Sequence, residues 1–280
     1  MMFKPKDSIA LKDMITDLGN TDYEIPVALG KATSGEKIMI DLSEAPHILI
    51  VGTQHSGKTS LLHTIICSIL CTKQSENIRF ILADLKDSGL SVYQTVTNLL
   101  CQVITDEHSL IQAMAAITDE IEDRILFLEK YKRYGVHGIK SYNLLAKKHG
   151  LDKLPYIVLI VDEFAPAIYA GKRDFERLFK RITSVARLLG IHLIFTTGES
   201  VLPNVITGTI WSSFPSTIAL RMDNKNNSKL LIGQLGAEVL ECCGEALYKS
   251  GYDSPAIKMQ CAFIDEETVK AVAFYNSFPR

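Results

Sequence analysis

The chain has 280 residues, 47% hydrophobic and 22% charged, which suffices for one sizeable core and excludes disordered and fibrous classes. Its formal charge of -2 carries no global basic signature, so any nucleic-acid partner must be met by a local positive surface. No apolar run has the length of a membrane span, and Met1-Met2-Phe3-Lys4-Pro5-Lys6-Asp7 lacks the apolar core of a signal peptide, which predicts a cytoplasmic protein.

Ser8 to Leu18 places Leu11, Met14, Ile15 and Leu18 on one helical face behind a Ser8 cap. Extended runs from Ile25 to Leu29 and from Lys37 to Asp41, bridged by Thr33-Ser34-Gly35, predict a hairpin laid against the strand that follows. That strand, Pro46-His47-Ile48-Leu49-Ile50-Val51, enters Gly52-Thr53-Gln54-His55-Ser56-Gly57-Lys58-Thr59-Ser60, and helical spacing runs from Leu61 to Leu70. Arg79 to Asp84 is a buried strand ending in a carboxylate. His108 to Arg133 is an amphipathic helix ending in Lys130-Tyr131-Lys132-Arg133, and helix resumes from Ser141 to Lys148. Tyr156 to Phe164 is a fully buried strand that delivers Asp162 and Glu163 at its C-terminal end.

Asp174 to Leu188 is a further helix, leading through Gly190 into the strand Ile191 to Thr197. An irregular stretch from Gly198 to Ser213 precedes a strand from Thr217 to Arg221, and short helical pieces lie between Asn227 and Leu240. Strands from Glu245 to Lys249 and Ile257 to Phe263, then a helix from Asp265 to Tyr275 capped as Asp-x-x-Thr, complete the pattern. Strand and helix alternate through the middle, which predicts an α/β fold with a mostly parallel sheet covered on both faces, as a single domain over residues 1–280 with residues 1–45 as an appendage. The six cysteines show no Cys-x-x-Cys spacing and read as reduced, mostly buried thiols. His192 reads as a core histidine and the solitary Trp211 as packing.

The pattern G-x-x-x-x-G-K-[ST] between a strand and a helix is a phosphate cradle. Gly52 and Gly57 permit turns and close approach that a Cβ obstructs. The helix start offers unpaired N–H groups, Lys58 a point charge for β/γ-phosphates, and Thr59 a hydroxyl ligand for Mg²⁺. The bland alternative is a glycine-containing turn with a solvated lysine. Asp162 is placed to hold Mg²⁺ and Glu163 to act as general base on an attacking water. An acidic pair after a strand also arises from the charge preference of helix N-termini.

Several segments together resemble the motor domain of the FtsK/SpoIIIE DNA translocases: Pro46-His47-Ile48-Leu49 into the loop, Leu90-Ser91-Val92-Tyr93, Gly135-Val136 to Ser141-Tyr142-Asn143, Leu154-Pro155-Tyr156 to Asp162-Glu163-Phe164-Ala165, Ala186-Arg187 to Gly190-Ile191-His192-Leu193, Val205-Ile206-Thr207-Gly208 and Gly236-Ala237-Glu238. The resemblance implies a RecA-like P-loop NTPase fold, ATP and Mg²⁺ at the boundaries of a six-membered ring, and double-stranded DNA through its centre. It makes Gly52 to Ser60 the nucleotide-binding residues, Thr59 and Asp162 the metal side, Glu163 the base, and Arg187 a finger offered to a neighbour; for Arg187 a plain salt bridge is the alternative.

There are departures from that family. Thr197-Gly198-Glu199-Ser200 stands where it has Thr-Gln-Arg-Pro, so a γ-phosphate-sensing Gln is missing and a Glu replaces an Arg. Asp84-Leu85-Lys86 stands for Asp-Pro-Lys, with Gly89 in place of a downstream Glu. Membrane helices, a preceding DNA-pore domain and a following winged helix are absent, which predicts a bare motor, either part of a longer protein or a stand-alone relative, tied to a membrane only through other segments or partners. The leading expectation is an ATP-driven DNA translocase in chromosome segregation or conjugative transfer. Its phosphate contacts are sought after Thr197 and near Lys130, Lys132, Arg133 and Lys140, where a solvated charged face is the alternative. The competing expectation is an ATPase module of type VII-like protein secretion with a weakened hydrolytic site.

Overall fold

The computed structural model describes residues 9–45, 47–72, 76–241 and 243–278; the expected cap Ser8, Pro46 of the first core strand and Cys242 lie outside them. The strands are β1 (Pro26–Ala32), β2 (Lys37–Asp41), β3 (His47–Gly52), β4 (Ile78–Asp84), β5 (Tyr156–Asp162), β6 (Ile191–Gly198), β7 (Ser216–Leu220), β8 (Glu245–Lys249) and β9 (Ile257–Cys261). They form one sheet in the order β2-β1-β9-β8-β7-β3-β6-β5-β4. The run from β7 to β4 is parallel, and the run from β7 to β2 is antiparallel. The helices are α1 (Lys12–Gly19), α2 (Lys58–Leu70), α3 (Glu107–Glu129), α4 (Ile139–His149), α5 (Ala165–Val185), α6 (Leu202–Val205), α7 (Gly208–Trp211), α8 (Lys225–Ile232) and α9 (Glu266–Tyr275).

The expected hairpin of β1 and β2 forms, but it does not lie against β3. Both edges of β3 are taken, by β6 and by β7, so no ladder is left; β1 pairs instead with β9 and closes the far end of the sheet. The parallel strands are apolar on both faces because each divides its side chains between two cores. Ile48 and Ile50 of β3 pack with Leu61 and Ile65 of α2, Met14 of α1 and Val269 of α9. Leu49 and Val51 face Ile117 and Ile121 of α3 and Phe175 and Phe179 of α5. Helix α2 is buried on all sides from Leu61 to Leu70; most of that run is apolar, and its polar members find partners inside, Thr64 Oγ1 donating to Ala262 O at 2.9 Å and Ser68 Oγ to Thr64 O at 2.6 Å.

Local chemistry accounts for the boundaries that shift. Asp106 caps α3 by accepting from Ser109 N at 2.8 Å, and Lys132–Tyr134 after it is a separate 3-10 turn. The helix expected from Asp174 begins earlier, at Ala165 with Pro166 in its first turn; Gly171 is non-helical inside it and hides the first segment from a periodicity argument. The closing helix has its expected cap, with Thr268 N donating to Asp265 Oδ1 at 2.8 Å. The thiols are less buried than expected: Cys67 and Cys261 are inside, Cys243 is intermediate, and Cys71 and Cys101 are exposed. Trp211 is 37% exposed and packs against Tyr252. No helix among the described residues is long and apolar enough to cross a membrane.

Candidate nucleotide-binding site

The loop between β3 and α2 opens a cleft at the C-terminal ends of the parallel strands, lined by Thr53 through Leu61 and by Asp162 and Glu163. A Cβ on Gly52 would stand 2.4 Å from Ser56 Oγ and 2.8 Å from Leu220 Cβ, so the chain can turn there only without one. Gly57, at φ 111°, is the left-handed start of α2, and no side chain caps that helix. The loop is braced from two directions: Thr53 N donates to Arg221 O at 2.9 Å, and Gly244 N donates to Ser56 O at 3.1 Å. Lys58 Nζ lies back on the loop, donating to Gly52 O at 3.0 Å and Thr53 O at 2.9 Å. Burial lowers its pKa, against the opposing pull of the Glu163 and Asp162 charges.

Strand β6 lies between β3 and β5, and its last threonines organise both acids. Thr196 Oγ1 donates to Asp162 Oδ1 and accepts from Glu163 N at 2.9 Å. Thr59 Oγ1 donates to Asp162 Oδ2 at 2.8 Å, which joins the phosphate loop to the acid strand. Glu163 has φ 61°, uncommon for a residue with a side chain, and this turn aims its carboxylate toward β6. There Oε1 accepts from Thr197 Oγ1 at 2.8 Å and Gly198 N at 3.2 Å, while Oε2 is 3.3 Å from Lys86 Nζ.

Asp84, at the end of β4, fixes the next loop by accepting from Ser88 N and Oγ on one oxygen and from Gly89 N and Leu90 N on the other. Burial raises its pKa, but these hydrogen bonds outweigh it and leave the carboxyl below its usual range. Ser88 Oγ also donates to Asp162 Oδ2 at 2.6 Å. Behind this loop His63 of α2 is buried with Nδ1 2.9 Å from Tyr93 Oη, and burial pushes its pKa down to about 4. On the far rim, Glu199 is buried and accepts from Asp223 N at 2.7 Å, Asn224 N at 2.7 Å and Asn227 Nδ2 at 3.0 Å. The residue that departs from the resembling family is therefore a clamp between the turn after β6 and the start of α8.

Arg187 is not in this cleft. It lies in the 3-10 turn Ala186–Leu189 before β6, at the N-terminal ends of the parallel strands, with Nη2 3.2 Å from Glu44 Oε2; Lys140 Nζ is 2.7 Å from Glu44 Oε1. Lys130, Lys132 and Arg133 follow the end of α3, before α4 and the start of β5, whereas the turn after Thr197 follows the C-terminal end of β6.

A sequence model of the FtsK/SpoIIIE family matches residues 11–201. This chain belongs to the FtsK/SpoIIIE family. The DNA translocase FtsK of Borreliella burgdorferi is 36% identical over 250 residues, 89% of this chain and 31% of that protein. The DNA translocase FtsK of Staphylococcus epidermidis is 35% identical over 280 residues, 97% of this chain and 35% of that protein. This FtsK/SpoIIIE chain thus spans about a third of the length of those relatives. Among solved structures, the pCW3 conjugation coupling protein TcpA, in monomer form with ATPγS, superposes with a TM-score of 0.79 at 24% identity, over 98% of this chain and 75% of that one. The cytoplasmic domain of the Thermomonospora curvata type VII secretion ATPase EccC gives 0.77 at 20% identity, over 98% of this chain and 35% of that one. These likenesses establish the P-loop ATPase fold.

Of the sequence-derived residues, Thr53 to Ser60, Asp162 and Glu163 line one cleft and Gly52 underlies it, while Arg187 stands apart. Lys86, Ser88, Thr196, Thr197 and the clamp by Glu199 are additions from the structure. A polar Thr-Thr pair closing a mostly apolar strand is the available signal for two of them.

Proposed function

We propose that this chain is the motor of an ATP-driven translocase of double-stranded DNA, working in the cytoplasm as a ring of six copies with ATP and Mg²⁺ at the boundaries between them, in chromosome segregation or conjugative transfer. The observation that carries the reading is the meeting of Lys58 and Thr59 with Asp162 and Glu163 in one cleft, in a chain 36% identical to a DNA translocase. Mg²⁺ suits the donor set, because Thr59 Oγ1 and Asp162 Oδ2 are hard oxygens 2.8 Å apart. Bound there, the ion would neutralise phosphate charge and polarise the phosphoryl group. Lys58 exchanges its loop carbonyls for phosphate oxygens, beside the uncapped N-terminus of α2. Glu163 takes a proton from water as the water oxygen attacks the γ-phosphorus, and ADP departs with the bridging oxygen. Arg187, at the opposite tips of the parallel strands from its own cleft, would reach the cleft of an adjoining copy and stabilise charge in the transition state there.

The secretion-type reading shares the fold, but the 20% identity to EccC against 36% to the translocase favours DNA. The deciding experiment is ATP hydrolysis by the assembled protein with and without duplex DNA at low and high salt. Stimulation that fades with salt is expected from phosphate contacts. Turnover that no duplex stimulates overturns the DNA assignment.

A further inference from the structure

The pairing of Lys86 with Glu163 carries a consequence for how the site is regulated. Lys86 sits on a loop whose backbone is held tightly, by the four hydrogen bonds to Asp84 and by Leu85 N and Ser88 Oγ donating to Asp162. Its side chain is 61% exposed on a flexible stem, whereas that of Glu163 is only 8% exposed. The two oxygens of Glu163 are also treated differently. Oε1 is fixed by Thr197 and Gly198, groups of the sheet itself; Oε2 is occupied by the ammonium of an exposed side chain at 3.3 Å. An oxygen so occupied is obstructed as a proton acceptor for water. Lys86 faces the same cleft as Lys58 and depresses the pKa of Lys58, a lesser cause after burial, so both ammoniums address one ligand volume.

We propose that Lys86 is a triphosphate-sensing positioning residue: it masks Oε2 of Glu163 in the empty or ADP-bound cleft and transfers to the terminal phosphate when a triphosphate enters, unmasking the base. The direction follows from charge. A triphosphate terminus presents several negative oxygens to an exposed ammonium, whereas Glu163 offers one oxygen of a carboxylate already holding two other donors. After transfer Oε1 remains fixed, so the carboxylate keeps its orientation while Oε2 becomes free to accept a proton. A diphosphate leaves Lys86 where it is, and the base stays covered. The proposal rests on the nucleotide-site reading above and adds a selective sensor to it, in a chain whose turn after β6 carries Gly198 and Glu199 in place of the family's Gln-Arg.

The test is equilibrium binding of Mg²⁺-ATPγS and of Mg²⁺-ADP to the full chain and to Lys86→Met, Lys86→Arg and Lys58→Ala, with Lys86→Met repeated in a Glu163→Gln background. Lys86→Met should weaken ATPγS by about tenfold or more, the worth of a charge-assisted hydrogen bond, and leave ADP within about twofold. Lys86→Arg should recover most of the loss. The loss should persist in Glu163→Gln; its disappearance there would mean that Lys86 only neutralises the carboxylate, and the transfer is wrong. Equal weakening of both nucleotides, or of neither, also overturns it. Those results differ from failure of the underlying reading, in which the parent chain binds neither nucleotide or Lys58→Ala binds both undiminished.

Discussion

Glu199 allows a sharp test, because its role is physical and its partners are known. Replacing it with Ala removes the acceptor from Asp223 N, Asn224 N and Asn227 Nδ2 at a residue only 6% exposed. Hydrogen bonds to a charged group contribute about 1.5–3 kcal/mol each, and a buried donor left unpaired costs about 1–3 kcal/mol, so with partial relaxation Glu199→Ala should lose about 3–5 kcal/mol. Glu199→Gln keeps the shape and one acceptor but turns an NH₂ toward donors, and should lose about 1.5–3 kcal/mol. Glu199→Arg, which restores the family's usual residue type, should be worse than Ala, because a guanidinium would face three donors. The assay is urea unfolding followed by circular dichroism and by the fluorescence of the single Trp211, comparing midpoints at constant slope. A Glu199→Gln midpoint equal to the parent's would refute the clamp.

Other predictions concern the cleft and its support. Glu163→Gln should bind ATPγS as well as the parent does but lose turnover by about 10²-fold or more; parental turnover would remove Glu163 as the base. Arg187→Ala should lower hydrolysis by about 10³-fold in the assembled protein and be partly rescued by mixing with Lys58→Ala chains, whose own clefts are dead but whose Arg187 is intact. If mixing restores nothing, Arg187 is only the partner of Glu44. His63 has its folded pKa depressed to about 4 from 6.5, so the stability it contributes is complete above pH 6.5 and declines as pH falls toward 4, by about 3 kcal/mol in all. A pH series of urea midpoints should show this slope in the parent and lose it in His63→Leu; an identical slope in both would contradict the buried neutral imidazole.

What the sequence made legible was chemistry confined to a few neighbouring residues. The loop from Gly52 to Thr59 could be read because its glycines solve a local backbone problem, and Asp162 and Glu163 because charge following an apolar strand marks a sheet edge. The placement of the β1–β2 hairpin could not, since its partner β9 lies at the other end of the chain and competition for the edges of β3 is a property of the whole sheet. Glu199 was visible as a departure, yet its meaning depends on donors 24 to 28 positions away. Lys86 belongs to the short run Asp84-Leu85-Lys86, and only the adjacency of β4 and β5 brings it to Glu163. Thr196 and Thr197 look like ordinary strand residues in the sequence; their work becomes apparent once β6 is known to run between the two site-bearing strands.

The separation of Arg187 from the cleft, at opposite tips of the parallel strands, keeps a chain's own Arg187 away from its own nucleotide site. In the proposed role Arg187 would serve another copy, either head to tail around a ring or reciprocally in a pair related by a twofold axis, where each chain gives and receives at once. An open head-to-tail row, by contrast, ends in one receiver that nothing serves and one giver with nothing to serve. Closed symmetry, twofold or cyclic, furnishes every receiver, so hydrolysis per chain should climb where closed assemblies form rather than grow in step with open association.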